Sequence, residues 1–348
     1  MTGLADDPDA MFFNPAGLAF QSGVGATVNY VDWLPGYYEG MDYAYVGTVK
    51  QLSDRVCTGL SAAWFNPGQI DIWWDEPPSY EGPPEVWRGA LAGNAAVQLT
   101  DHLALGDAVK FIHCQYVPGW VWKSMPEIGI EAGGTGNTWA ADVGALWRPS
   151  AKFSLGAGVA NLGPGITYSS SGEHDPSPTT LRMGACWTPL SNRHLRVGVL
   201  PEIDKVLVGM FWDTTGRVPF GRKLQAEIRD AWKALGVEIT GLGLFTARLG
   251  YFEDLSWGRG GIMLAEHDGG EYRHNLCDIL TKKGLGSLKS VGLCWGFGIG
   301  YKDYFRFDVS SDAAIYDFDT SNWKLSLVAN DIAGGIRALK QGHAPWKE

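Results

Sequence analysis

Few residues of this chain are placed to do chemistry. Glu266-His267-Asp268, with His274 and Cys277, gathers metal-ligand side chains. Its spacings of seven and three residues match no standard zinc pattern, and the run sits in a polar stretch, so solvated loop residues are the better reading. Gly296-Phe297-Gly298-Ile299-Gly300 has the glycine density of a nucleotide loop. It lies inside an alternating apolar run, and no helix follows it to offer an N-terminus to phosphate. No G-x-S-x-G occurs, and Ser, His and Asp form no arrangement that singles out a nucleophile. The five cysteines, Cys57, Cys114, Cys186, Cys277 and Cys294, include no C-x-x-C pair and fix no redox compartment. The expectation is a protein that is not an enzyme, with no metal and no cofactor.

Two other patterns concern recognition. Asn14-Pro15-Ala16-Gly17 resists becoming a strand, since Pro15 removes a ladder donor and Asn14 can bond its own backbone; the same four residues also suit a plain turn, with Pro15 fixing φ and Gly17 free to take φ > 0. Trp73 and Trp74 stand in one aromatic segment and Trp120 and Trp122 in another. Tryptophan buries a large area with few rotors and suits a docking surface, whereas the same residues at a membrane rim form an interfacial girdle. Sequence leaves both readings open.

The elements that must position these residues follow from composition and periodicity. In 348 residues there are 47 Gly and 16 Trp, with 19% charged and 45% hydrophobic residues. That is glycine-rich and charge-poor for a soluble domain. A net charge of −10 with no dense basic run excludes a nucleic-acid partner. Every apolar run is broken by Gly or charge before the ~18 residues a membrane helix needs. The first residues, Met1-Thr2-Gly3-Leu4-Ala5-Asp6-Asp7-Pro8, lack the basic start and apolar stretch of a secretory leader.

Period-two alternation is the strongest signal. Val291, Leu293, Trp295, Phe297, Ile299 and Tyr301 share one face of a run whose other face is almost all glycine. Similar alternation places strands near 24–33, 43–50, 54–65, 89–99, 103–114, 138–147, 152–162, 180–189, 193–201, 236–241, 244–252, 290–301, 304–311 and 322–330. That is about 14 strands, many with the ~9 to 11 residues of a tilted transmembrane strand. Short turns alternate with long connections, near 66–88, 115–137, 163–179, 202–235 and 253–289, so the long ones emerge at one end. One segment departs from the pattern: Leu224, Ile228, Ala231, Trp232 and Leu235 are spaced helically, predicting a short loop helix over about 222–235. A propeller would need a repeated blade, which is absent, and a sandwich would not produce the loop asymmetry. The fold class is therefore all-β: a transmembrane antiparallel up-and-down β-barrel.

Asp6-Asp7-Pro8 through Asn14-Pro15-Ala16-Gly17-Leu18 resembles the N-terminal signature of the FadL-like outer-membrane barrels, in particular their PorV/PorQ branch. Asn161-Leu162-Gly163-Pro164, Pro178-Thr179-Thr180-Leu181-Arg182-Met183-Gly184, Ile203-Asp204-Lys205-Val206-Leu207-Val208, the loop helix and Arg248-Leu249-Gly250-Tyr251 continue it in order across nearly the whole chain. The resemblance implies a bacterial outer-membrane location and an N-terminal hatch within the lumen, residues 1–23, carrying Asn14, Pro15, Ala16 and Gly17. The barrel would span 24–330, and a loosely ordered periplasmic tail 331–348. Relatives carry a signal peptide and a Gly-rich stretch before the acidic pair, so a truncated N-terminus is expected. The implied partners are outer-membrane lipid, secreted cargo proteins bearing a C-terminal signal and other type IX secretion components. The role would be to receive cargo and pass it to a surface-attachment complex. The alternative is a FadL-like channel for long-chain fatty acids or another hydrophobic small molecule. Two positional expectations follow from the alternation: Phe297 meets lipid, and inward Gly298 tolerates serine.

Overall fold

The computed structural model describes residues 2–36, 39–68, 86–116, 134–168, 174–212, 217–254, 258–266, 269–281, 286–312 and 320–341. Fourteen antiparallel strands close into a ring. They are β1 (Val24–Asp32), β2 (Met41–Ser53), β3 (Val56–Pro67), β4 (Trp87–Thr100), β5 (Leu103–Gln115), β6 (Thr135–Ser150) and β7 (Phe153–Leu162). Then follow β8 (Thr180–Ser191), β9 (Leu195–Val206), β10 (Trp232–Gly241), β11 (Phe245–Asp254), β12 (Leu293–Tyr301), β13 (Phe305–Ser311) and β14 (Trp323–Ala329). Each pairs with the next in sequence, and β1 closes the ring on β14 with Val28 opposite Leu327. Closure leaves no unpaired sheet edge, which a strand-built membrane protein requires. No helix among the described residues is long and apolar enough to cross a membrane.

The barrel is inside-out relative to a soluble protein. Large apolar side chains point outward, with Leu60, Leu91 and Phe297 69%, 63% and 61% exposed. Small and polar residues point inward; on β12 the inward set is Cys294, Gly296, Gly298 and Gly300. The buried apolar cluster lies within the lumen, where Met11, Ala16, Leu18 and Ala19 meet Tyr45, Val49, Cys57, Ala96, Ala104 and Leu146 from the wall.

Six short hairpins, at 54–55, 101–102, 151–152, 192–194, 242–244 and 302–304, share one end of the barrel with the starts of β1 and the C-terminal segment. The longer connections emerge at the other end. One of them carries a three-stranded sheet, Ile262–Ala265 with Glu271–His274 and Ser287–Val291, which strand alternation alone did not separate from a loop.

Three expectations need correction. The loop helix covers Phe220–Asp230 and stops there, because Ala231 is extended and Trp232, opposite Asp204 of β9, begins β10, which pairs with β11 as well from Lys233 onward. Ladder hydrogen bonds to two neighbours outweigh the helical spacing of Trp232 and Leu235. The C-terminal segment is not loose over its described part: Ile332–Lys340 is a helix whose first turn is capped by Asp331, accepting from Gly334 N at 3.0 Å. Gly298 does not have room for serine. A Cβ there would press, closer than 3.0 Å, on Asp308 Oδ1, and Asp308 is clamped by Arg248 and Arg306.

Candidate functional site

Residues 2–22 enter from the short-turn end and lie along the inner wall of β3 to β7. The segment folds as a helical turn, Ala10–Phe13, followed by a 3-10 turn, Pro15–Phe20. Asn14 joins them. Its extended backbone makes it the N-cap of the second turn, Pro15 occupies the first position where a missing N–H costs nothing, and the Asn14 side chain accepts from Ala16 N at 3.2 Å. The Asn14 amide donates to Thr2 O and to Ala145 O on β6, both at 3.0 Å. Fully buried, it thus uses both donors and its acceptor, tying two parts of the plug to each other and to the wall.

The wall is cut to receive the plug. A Cβ at Gly106, Gly144 or Gly156, on β5, β6 and β7, would come closer than 3.0 Å to Ala16 N, Asn14 Oδ1 and Thr2 O respectively. Gly17 is constrained likewise, by Ala5 O. Glycine on the lumen face is therefore a docking feature here, allowing backbone to approach backbone.

Charged side chains fasten the remainder. Arg148 donates to Leu4 O at 2.8 Å and lies over the Phe20 ring at 4.3 Å. Arg182 donates to Phe12 O at 2.9 Å, and Thr2 N donates to Glu202 at 2.9 Å. Asp9 accepts from Thr27 and Asn29 of β1 at 2.7 and 2.8 Å. Arg306 reaches Asp7 at 2.8 Å and Asp308 at 2.6 Å, and Arg248 joins Asp308 and Glu238 at 2.6 and 2.7 Å. Burial, with the neighbouring Asp7 charge, pushes the Asp6 carboxyl up to about 6. Burial also raises Asp9, against the opposing hydrogen bonds from Thr27 and Asn29. The inward basic residues were missed by sequence reading, although Arg148 shares the phase of Gly144 and Leu146 on β6.

The plug fills one side of the lumen. Opposite it remains a cavity of ≈ 520 Å³, lined among others by Asp6, Arg196, Glu238, Arg248, Arg306 and Asp308. Its lining sets paired charges beside apolar side chains such as Leu4, Phe13 and Val328, and the charges favour water over hydrocarbon.

The sequence-derived sites separate accordingly. Asn14, Pro15, Ala16 and Gly17 come together, all buried against the wall. Trp73, Trp74, Trp120 and Trp122 lie outside the described residues. At the base of their loops, Trp64 and Trp87 stack outside the barrel at 4.3 Å, and Trp139 meets Phe111 at 5.1 Å, as an aromatic girdle does. Of the candidate ligand run, His274 binds Glu266 at 2.9 Å, Cys277 is exposed, and His267 and Asp268 lie outside the described residues. Among the described residues no three metal-ligand side chains gather.

A family model described as type IX secretion system protein PorV matches residues 1–212. A search of curated proteins finds no match. Among solved structures, the toluene transporter TodX of P. putida is similar at 13% identity, over 93% of this chain and 94% of that one, with a TM-score of 0.49. The Ralstonia pickettii toluene transporter TbuX is similar at 11%, over 92% of each chain, with a TM-score of 0.46. A Pseudomonas aeruginosa FadL homologue is similar at 14%, over 93% and 94%, with a TM-score of 0.44. At such identities and scores nothing about those proteins' substrates transfers. The family match covers more than half of the chain, so this protein belongs to the PorV family, and it is an outer-membrane β-barrel.

Proposed function

For this member of the PorV family we propose a role in handling secreted cargo: the barrel binds proteins bearing a C-terminal secretion signal at its long-loop end and passes them to the surface-attachment complex. The observation that carries this reading is the plugged, polar lumen. Asn14 is locked between Thr2 and Ala145, and the space beside the plug is lined by Arg–carboxylate pairs. A hydrocarbon crossing there would desolvate charges without replacing their hydrogen bonds. Protein capture at the loops needs no open pore. Trp73, Trp74, Trp120 and Trp122, in the connections from β3 to β4 and from β5 to β6, supply rigid apolar anchors for it.

One feature favours the second reading, a channel for a hydrophobic compound. Phe12 is 41% exposed inside the barrel, next to Tyr45 at 5.6 Å and Tyr43 at 6.5 Å, forming an aromatic ledge above the plug. The deciding experiment replaces the four loop tryptophans together by Ala and measures binding of a secretion-signal peptide and of a fatty acid. Loss of peptide binding with an intact barrel is expected. A wild-type barrel that takes up fatty acid and ignores the peptide would overturn the cargo reading.

A further inference from the structure

Alternation along β5 puts one carboxylate on the membrane-facing side of the barrel. Gly106 faces the plug, since a Cβ there would press on Ala16, and Ala108 is 1% exposed within the lumen. Asp107 between them is exposed and points outward, in phase with Leu105 and Val109. Its height is fixed by the neighbouring strand. Leu103 pairs with Trp147 and Phe111 with Trp139, so Asp107, opposite Val143, stands midway between two outward tryptophans of β6. Four residues of strand are about 13 Å, or about 10 Å along the membrane normal at a typical tilt. Asp107 therefore sits near the centre of the apolar band.

Among the described residues nothing relieves it. Asp107 has no ion-pair or hydrogen-bond partner among the described residues. Along its pairing row, the outward cations are Lys50, reached through Ala95 and Thr58, and Lys205, reached through Val143, Val159 and Leu181. These are three and four strands away, about 14 and 19 Å at the spacing of neighbouring strands. Lys205 is already paired with Glu227 at 2.5 Å. A long lysine side chain can snorkel to the headgroups, but an aspartate, with one methylene, cannot. The other acids in the outward phase stand at strand ends: Asp32 and Asp42 beyond Tyr30, and Glu253, fully buried and paired with Lys233 at 2.9 Å, beyond Tyr251.

The surroundings of Asp107 also differ from the opposite side. Ala95 on β4 and Val143 on β6 lie opposite it, and the small residues Gly93, Ala141 and Ala145 stand diagonal to it, lowering the surface so that another backbone can come close. Across the barrel the outward positions of β11 to β14 include Phe245, Leu249, Trp295, Phe297, Phe307 and Leu327, side chains suited to acyl chains.

We propose that the outward face of β4 to β6 around Asp107 docks against a membrane-embedded segment of another protein, one that presents a Lys or Arg side chain at mid-bilayer depth. An acid facing the apolar band calls for a cation, and the small residues let the segment carrying that cation approach. A second copy of this chain related by a two-fold axis along the membrane normal would set Asp107 against Asp107, so it is the wrong partner.

The test places a photo-crosslinking benzoylphenylalanine at Ala95, and separately at Phe297, in the full-length protein in its own outer membrane. The expected result is a protein adduct at position 95, with the crosslinked peptide in a membrane-spanning segment and a Lys or Arg within two residues. Position 297 should give none. The adduct should fall at least ten-fold with Asp107→Leu and persist with Asp107→Glu. In dilauroyl phosphatidylcholine vesicles, the isolated Asp107→Leu barrel should unfold at higher urea than wild type, because the lipid-facing charge is gone. Adducts to lipid or to a second copy, an adduct insensitive to Asp107→Leu, or a less stable Asp107→Leu barrel would each overturn the proposal.

Discussion

Arg306 on β13 and Asp7 in the plug lie 2.8 Å apart, although 299 positions separate them in sequence. Through this contact the plug joins a continuous charge chain in the wall, from Asp7 to Arg306, Asp308, Arg248 and Glu238. The side of the plug that is not packed on β3 to β7 is thus held electrostatically at the edge of the cavity.

Arg306→Leu should therefore loosen the plug more than the barrel. Removing the guanidinium leaves Asp7 and Asp308 without a shared cation, at a cost of about 1 to 3 kcal/mol, moderated because the site is partly wet. Hydrogen exchange should show faster exchange over residues 5–12 with the strands unchanged. Equal protection in variant and wild type would mean that the contact carries no weight.

Asn14→Asp should be more damaging than its small change of shape suggests. The carboxylate would keep one oxygen accepting from Ala16 N and turn the other, in place of the amide nitrogen, against Thr2 O and Ala145 O, to which the amide now donates at 3.0 Å, in a fully buried position. Lost hydrogen bonds and charge burial together should cost about 2 to 4 kcal/mol of plug docking. Limited proteolysis should release the N-terminal segment while the barrel keeps its folded, heat-modifiable migration on gels.

Asp6 sets a pH dependence whose sign can be worked out. Its carboxyl is raised from an ordinary 3.8 to about 6 in the folded protein, so the folded state holds the proton more tightly than the free chain. The stabilisation is fully present below about 3.8 and is lost as pH rises through about 6. With the side chain 35% exposed toward the lumen, screening keeps the effect small. Exchange of the plug amides, corrected for intrinsic rate, should be slower at pH 4.5 than at pH 7, and Asp6→Asn should reduce the difference, leaving the part that the raised Asp9 carboxyl contributes in the same direction.

How much of this was legible depends on what fixes each feature. The strands announce themselves because membrane outside and a crowded lumen inside impose opposite demands on alternate residues, as in Trp295, Phe297 and Ile299 against Gly296, Gly298 and Gly300, which meet wall residues such as Ser310 and Asp308. The same phase marks Asp107 as outward, since Leu103, Leu105, Val109 and Phe111 share it, yet one acid in an apolar series is easily averaged away. The partners of Asn14 were not legible, because Thr2 O and Ala145 O are brought to it only by the fold. The end of the loop helix was misplaced for the same reason: Trp232 fits a helical face locally, and only its pairing with Asp204 makes it a strand residue.

Two neighbouring substitutions on β12 separate the lipid face from the lumen face. Phe297→Arg puts a cation against acyl chains between Trp295 and Tyr301, at a cost of about 2 to 4 kcal/mol in a bilayer unfolding measurement. Gly298→Ser is costly for another reason, because its Cβ meets Asp308 while Arg248 and Arg306 hold that carboxylate at 2.6 Å. The two costs should respond differently to Asp308→Ala. Clearing the carboxylate removes the clash, so Gly298→Ser should cost at least about 1 kcal/mol less in that background, the non-additivity of residues in contact. Phe297→Arg should cost the same in both backgrounds, since it faces away from Asp308. Additive behaviour of Gly298→Ser with Asp308→Ala would show that β12 does not press its glycine against the charge chain.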